Sequence, residues 1–103
     1  MKVTYISSDY IEFDNGKRIE SDFVPQCCEY NYAKFDEVDK MIEDIEFPEE
    51  LVFEKVEPYG FRFGFSNMMF FIPCYSEHNG YYSSDVDMVY DGKHVLTADG
   101  EIE

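Results

Sequence analysis

The chain has 103 residues, about the size of one domain, and its 45% hydrophobic content, with 10 Phe and 9 Tyr, supplies enough apolar area to fold. Eight basic residues against 23 Asp and Glu leave a net charge of −15, which excludes direct binding to DNA, RNA or an anionic membrane, because each requires a cationic footprint. Residues 1–103 are therefore read as a single acidic domain.

The start, MKVTYISSDY, has neither the apolar core nor the small-residue cleavage site of a signal peptide. The longest apolar run, 68–73, is far short of the roughly 20 residues that cross a bilayer. Both features predict a cytoplasmic protein. Val3 to Ile6 and Tyr10 to Phe13 are short β-branched and aromatic runs, and Asp14-Asn15-Gly16 predicts a hairpin turn into a third strand over 17–24, which Pro25 ends. No element is assigned to 26–34. Phe35, Val38, Met41, Ile42 and Ile45 then recur at spacings of three and four, the period of an amphipathic helix. The helix is placed at about 36–46, with Asp36 and Glu37 suited to its positively polarised first turn and Pro48 limiting its end.

Beyond Pro48, residues 51–57 alternate apolar with charged side chains, Pro58-Tyr59-Gly60 is a turn, and Phe61, Phe63 and Phe65 alternate with Arg62 and Gly64, so a hairpin is expected over 51–65. The continuous apolar run Met68 to Ile72 reads as a strand at the centre of a sheet. His78-Asn79-Gly80 predicts a turn into a strand reaching Tyr90, with Tyr82, Val86, Met88 and Tyr90 on one face. Asp91-Gly92 turns toward His94 to Thr97, and the tail from Asp99 is expected to fray. The sum is an α+β domain: a mostly antiparallel, meandering sheet of six to eight short strands with one amphipathic helix.

The strongest charge feature spans 36–54, where Asp36, Glu37, Asp39, Glu43, Asp44, Glu46, Glu49, Glu50 and Glu54 face the single base Lys40, a net of −8 in nineteen residues. On a helix ending near 46, Asp36, Asp39, Lys40, Glu43 and Glu46 fall on or near one outward stripe. Such a run is read either as a solvated face or as a row of carboxylates that occupies the basic groove of a nucleic-acid-binding protein in place of phosphate. Asp36, Asp39, Glu43, Asp44, Glu46, Glu49 and Glu50 are the candidate partner-binding residues, and the expected partner is a basic protein surface. The acids do not follow the ligand spacing of a calcium loop.

Cys27, Cys28, Cys74 and His78 offer a zinc alternative, with Glu29 or His94 as a further ligand. Adjacent cysteines in extended chain point to opposite faces, so Cys27 and Cys28 do not readily share one ion. Three cysteines without a secretion signal read as reduced thiols, and pairing Cys27 or Cys28 with His78 or His94 as nucleophile and base has no flanking motif behind it. No glycine-rich phosphate loop and no HExxH, GxSxG or CxxC pattern occurs, so no enzymatic activity and no cofactor are predicted. Tyr59, Tyr75, Tyr81, Tyr82 and Tyr90 gather around turns and read either as packing or as a protein-binding patch.

Phe13-Asp14-Asn15-Gly16, Cys27-Cys28-Glu29 and Asn79-Gly80-Tyr81-Tyr82-Ser83 with Val86-Asp87 together resemble a family of small uncharacterised phage and bacterial domains that share a Cys-Cys-Glu triplet and a Gly-Tyr-Tyr-Ser strand. The resemblance spans 13–87 and implies a small accessory protein of a phage or mobile element. It assigns no catalytic residue. Size, charge and implied source converge on a non-enzymatic inhibitor of a host defence nuclease, an anti-CRISPR-like nucleic-acid mimic. A domain whose acidity serves only to keep it in solution is the bland alternative.

Overall fold

The structure, a computed structural model, describes residues 1–22, 29–78 and 84–102. Among them are eleven strands in three mostly antiparallel sheets and one short helical segment, an α+β domain as its sequence predicts.

Strands β1 (Val3–Ile6), β2 (Tyr10–Phe13) and β3 (Arg18–Ser21) form a meander. The Asp14-Asn15-Gly16 turn closes its second hairpin, with Gly16 at φ 87°, a left-handed conformation that glycine adopts without steric cost. β9 (Asp85–Tyr90) and β10 (Lys93–Asp99) turn at Asp91-Gly92, both at positive φ as a primed hairpin turn requires, and complete a five-stranded sheet in the order β1-β2-β3-β9-β10. β5 (Val52–Lys55), β6 (Phe61–Phe65) and β7 (Met68–Ile72) form a second meander that includes the expected 51–65 hairpin. β4 (Glu29–Ala33), β8 (Cys74–His78) and β11 (Glu101–Ile102) form the third sheet, order β11-β8-β4, in which β11 runs parallel to β8.

Apolar side chains from all three sheets meet in one core. Phe13, Phe35, Phe47, Phe61 and Phe63 are its largest fully buried members, and Ile11, Ile19, Ile72, Val86 and Met88 join them. Phe47 lies at the centre, its ring centroid 5.5 Å from Phe13, 5.9 Å from Phe63, 5.6 Å from Phe65 and 5.8 Å from Phe70. Aromatic pairs at such separations add roughly 0.5–1.5 kcal/mol each beyond their buried area.

Several elements differ from the sequence expectations. The helix stops early: a 3-10 turn at Phe35–Val38 leads into α1 (Asp39–Ile42), and the chain then opens out. Phe35, Val38 and Ile42 are buried as their spacing predicts, but Met41 is 56% exposed. The helix ends because Phe47 must reach the core. Its N–H donates to the carbonyl of Met1 at 2.7 Å and its carbonyl accepts from the Met1 amine at 2.6 Å, a pairing that an extended helix would prevent.

β7 borders its sheet instead of lying at the centre, so Phe70 and Ile72 point inward while Met68 and Phe71 are each 41% exposed. The tail is ordered through Ile102 by pairing with Tyr75 and Ser76. β4 and β8, where the sequence pattern assigns no element, pair along their whole length from Glu29↔His78 to Ala33↔Cys74.

Candidate functional site

The seven candidate carboxylates all lie outside the core. Asp36, Asp39, Glu43, Asp44, Glu46, Glu49 and Glu50 are all exposed. Their arrangement differs from the single helical stripe that the sequence predicts. Asp36 and Asp39 lie on the 3-10 turn and α1, with Glu43 at the end of α1, whereas Asp44, Glu46, Glu49 and Glu50 follow on a non-helical connection to β5. Carboxylates beyond Ile42 therefore have no helical repeat to set their spacing.

Glu46 is 3.2 Å from the amine of Met1, and the neighbouring Glu37 is 3.4 Å from Lys34. Among the described residues Asp36, Asp39, Glu43, Asp44, Glu49 and Glu50 form no ion pair. The scarce cations are engaged elsewhere: Lys17 with Asp91, Arg18 with Glu12, Lys55 with Asp99 and Glu57, and Arg62 with Glu54. Four of the basic side chains thus neutralise acids of the strands and their turns, and the 36–50 segment has only the Glu46 and Glu37 pairs for its acids among the described residues.

A shallow groove opens at each end of this segment. The first, about 370 Å³, lies between α1 and the β7–β8 turn, with Val38 and Pro73 among its lining, Met41, Tyr59, Phe71 and Tyr75 as its larger apolar and aromatic side chains, and Glu37 beside them. The ring of Phe71 approaches Gly60, where a Cβ would come within 2.7 Å of it, so glycine is what allows so close an approach. Burial, and after it the charge of Glu37, raises the Tyr75 hydroxyl above its ordinary pKa. The row of rings continues along the outer face of the third sheet: Tyr75 is 5.6 Å from Tyr32, which is 4.9 Å from Tyr30.

The second groove, about 410 Å³, includes Glu49, Glu50, Phe53 and Tyr90 but also Lys17 and Lys93. Tyr90 donates its hydroxyl to the Glu49 carbonyl at 2.7 Å, and burial, then Asp91 and Glu49, push its pKa up to about 12. Of the tyrosines grouped by the sequence, Tyr59 and Tyr75 meet in the first groove and Tyr90 lines the second, while Tyr81 and Tyr82 lie outside the described residues. Met41 and Phe71, both read as core from their pattern, are the contributions to the first groove that sequence reasoning missed.

The other chemical candidates receive less support. Cys74 is fully buried, and burial pushes its thiol up to about 12, far from the thiolate that attacks a substrate or binds a metal. Cys27 and Cys28 lie outside the described residues, as does the Gly80-Tyr81-Tyr82-Ser83 motif. Among the described residues no three His, Cys, Asp or Glu side chains converge to hold a metal. His94 Nε2 lies 3.1 Å from Thr97 Oγ1 and 3.6 Å from Asp87 Oδ1, and Thr97 donates to Asp87 at 2.5 Å. Asp87 and Thr97 face the same ring nitrogen, so the carboxylate does not orient the imidazole from behind as it does in a nucleophile–base–acid relay. The cluster is an exposed cross-strand contact.

No helix among the described residues is long and apolar enough to cross a membrane. Comparisons of the chain with protein families, with curated proteins and with solved structures return no match, so its chemistry is read from its own residues.

Proposed function

We propose that this chain is a non-enzymatic acidic module that binds a basic protein surface through Asp36, Asp39, Glu43, Asp44, Glu46, Glu49 and Glu50. The observation that carries this reading is the uneven distribution of neutralising charge: Lys17, Arg18, Lys55 and Arg62 pair with acids outside the segment, and six carboxylates of one exposed segment form no ion pair among the described residues. Uncompensated like charge costs folding stability, and an oppositely charged partner recovers that cost while steering its own association. In its finer form, the partner is a nucleic-acid-handling protein of the cytoplasm whose phosphate-binding groove the segment occupies. The chain then serves as a phage or mobile-element inhibitor of a host defence nuclease, of the anti-CRISPR kind. The net charge of −15 and the resemblance to small phage domains support that form.

The test is capture on immobilised protein from host lysate at low and high salt, with retained proteins identified by mass spectrometry. A basic nucleic-acid-binding protein should elute as salt rises, and its affinity should fall roughly tenfold with Glu43→Lys plus Glu46→Lys. Indifference to both salt and charge reversal favours acidity that only maintains solubility.

A further inference from the structure

We infer that the groove formed by Met41, Tyr59, Phe71 and Tyr75 is a slot for an arginine side chain of the basic partner. The inference rests on the acidic-module reading and names the contact that reading lacks.

Carboxylates alone attract any cation, whereas this groove has a shape and a chemistry. Its large side chains are apolar or aromatic, and Met41 and Phe71 are more exposed than core residues of their type usually are. Glu37 stands at its edge, and Asp36 and Asp39, which form no ion pair among the described residues, sit on the same two turns as Glu37 and Met41. An arginine side chain has matching parts: an apolar stem that packs on methionine and ring faces, and a planar, weakly hydrated guanidinium that stacks on aromatics while donating to carboxylates. Lysine is a compact, strongly hydrated charge and gains less from stacking.

Lys34, paired with Glu37 at 3.4 Å, does not block this arrangement, since both side chains are about half exposed and such a surface pair is readily exchanged. Charge also selects among occupants. A second copy of this chain would bring a net charge of −15 of its own, and an acidic or neutral peptide would leave the carboxylates unanswered. The second groove already holds Lys17 and Lys93, so it is the poorer slot for a cation.

The experiment uses the full chain labelled at its methionine methyls and tyrosine rings, titrated at low salt with a blocked Gly-Arg-Gly-Arg-Gly peptide and with its lysine and citrulline counterparts. The arginine peptide should shift the Met41 methyl and the Tyr59 and Tyr75 rings, with the buried Met88 methyl as a fixed reference. It should bind about threefold more tightly than the lysine peptide, and citrulline should not bind. Phe71→Ala, or Met41→Ala if the first variant unfolds, should remove the preference for arginine. Equal affinity for arginine and lysine overturns the slot, as do shifts confined to the second groove or concentration-dependent shifts without peptide. Binding of the captured basic partner separates the two levels. If Phe71→Ala leaves it intact while Glu43→Lys plus Glu46→Lys weakens it, the slot is wrong and the acidic-module reading stands; if neither variant nor salt affects it, both fall.

Discussion

In the five-stranded sheet Arg18 reaches Glu12 at 2.8 Å and lies 4.3 Å from the ring of Tyr10, and Lys17 reaches Asp91 at the adjoining β9–β10 turn; in the 36–50 segment six carboxylates form no ion pair among the described residues. The sheet positions its charges by cross-strand register, so acid and base arrive opposite each other as part of folding. The segment is positioned instead by four buried side chains, Phe35, Val38, Ile42 and Phe47, and of its charges only Glu46, at the Met1 amine, and Glu37, at Lys34, enter ion pairs among the described residues. Cross-strand register pairs charges in one region, while in the other most carboxylates are left to solvent.

Removing the anchor should have the largest effect. Phe47→Ala deletes a ring that touches Phe13, Phe63, Phe65 and Phe70, and should cost about 3–5 kcal/mol in urea unfolding. Backbone hydrogen exchange in this variant should rise first over residues 36–50. A loss confined to the five-stranded sheet would break the comparison.

Alkali comes next. Cys74, whose ordinary thiol value is 9.0, is pushed up to about 12 by burial, and Tyr90 from 10.0 to about 12. Between those limits the unfolded chain releases protons that the folded chain keeps, so stability present below about pH 9 is lost as pH rises toward 12. For Cys74 the slope is at most about 1.4 kcal/mol per pH unit. Urea midpoints should hold up to about pH 9 and fall from there to about pH 11, less steeply in Cys74→Ala.

The smallest effects sharpen the contrast most. Arg18→Gln, which breaks an exposed pair, should cost less than about 1 kcal/mol. Asp39→Lys should instead stabilise by a few tenths of a kcal/mol, because it relieves like-charge contact along the turn with Asp36 and Glu43. Opposite signs for two exposed charge changes are the expected outcome of paired thermal melts.

Much of the fold was legible where polarity and position agree. The hairpins at Asp14-Asn15-Gly16, Pro58-Tyr59-Gly60 and Asp91-Gly92 follow from turn chemistry, and the burial of Val86 and Met88 follows from alternation. The third sheet was not legible because its polarity is inverted. Asn31 and Ser76 point inward, where the Ser76 hydroxyl donates to Asn31 at 2.5 Å and Asn31 donates to the Asp85 carbonyl at 3.1 Å, while Tyr30, Tyr32 and Tyr75 line the outer face. A rule that sends tyrosine inward and asparagine outward finds no strand there. The acidic segment was legible as charge, since exposure of Asp and Glu needs no tertiary knowledge. The groove was not: Met41 matches a helical apolar period that two short turns cannot bury, and Phe71 sits in an unbroken apolar run that hides the alternation of a border strand.

Two strands at the borders of their sheets, Val3–Ile6 and Met68–Ile72, contain no charged residue. Unpaired, uncharged strand edges are templates for pairing between molecules, and at neutral pH the mutual repulsion of copies carrying −15 each holds them apart. That repulsion fades as the medium approaches the isoelectric point near pH 4.2, so the acidity keeps the molecules dispersed, and mild acid should drive them into edge-to-edge aggregates.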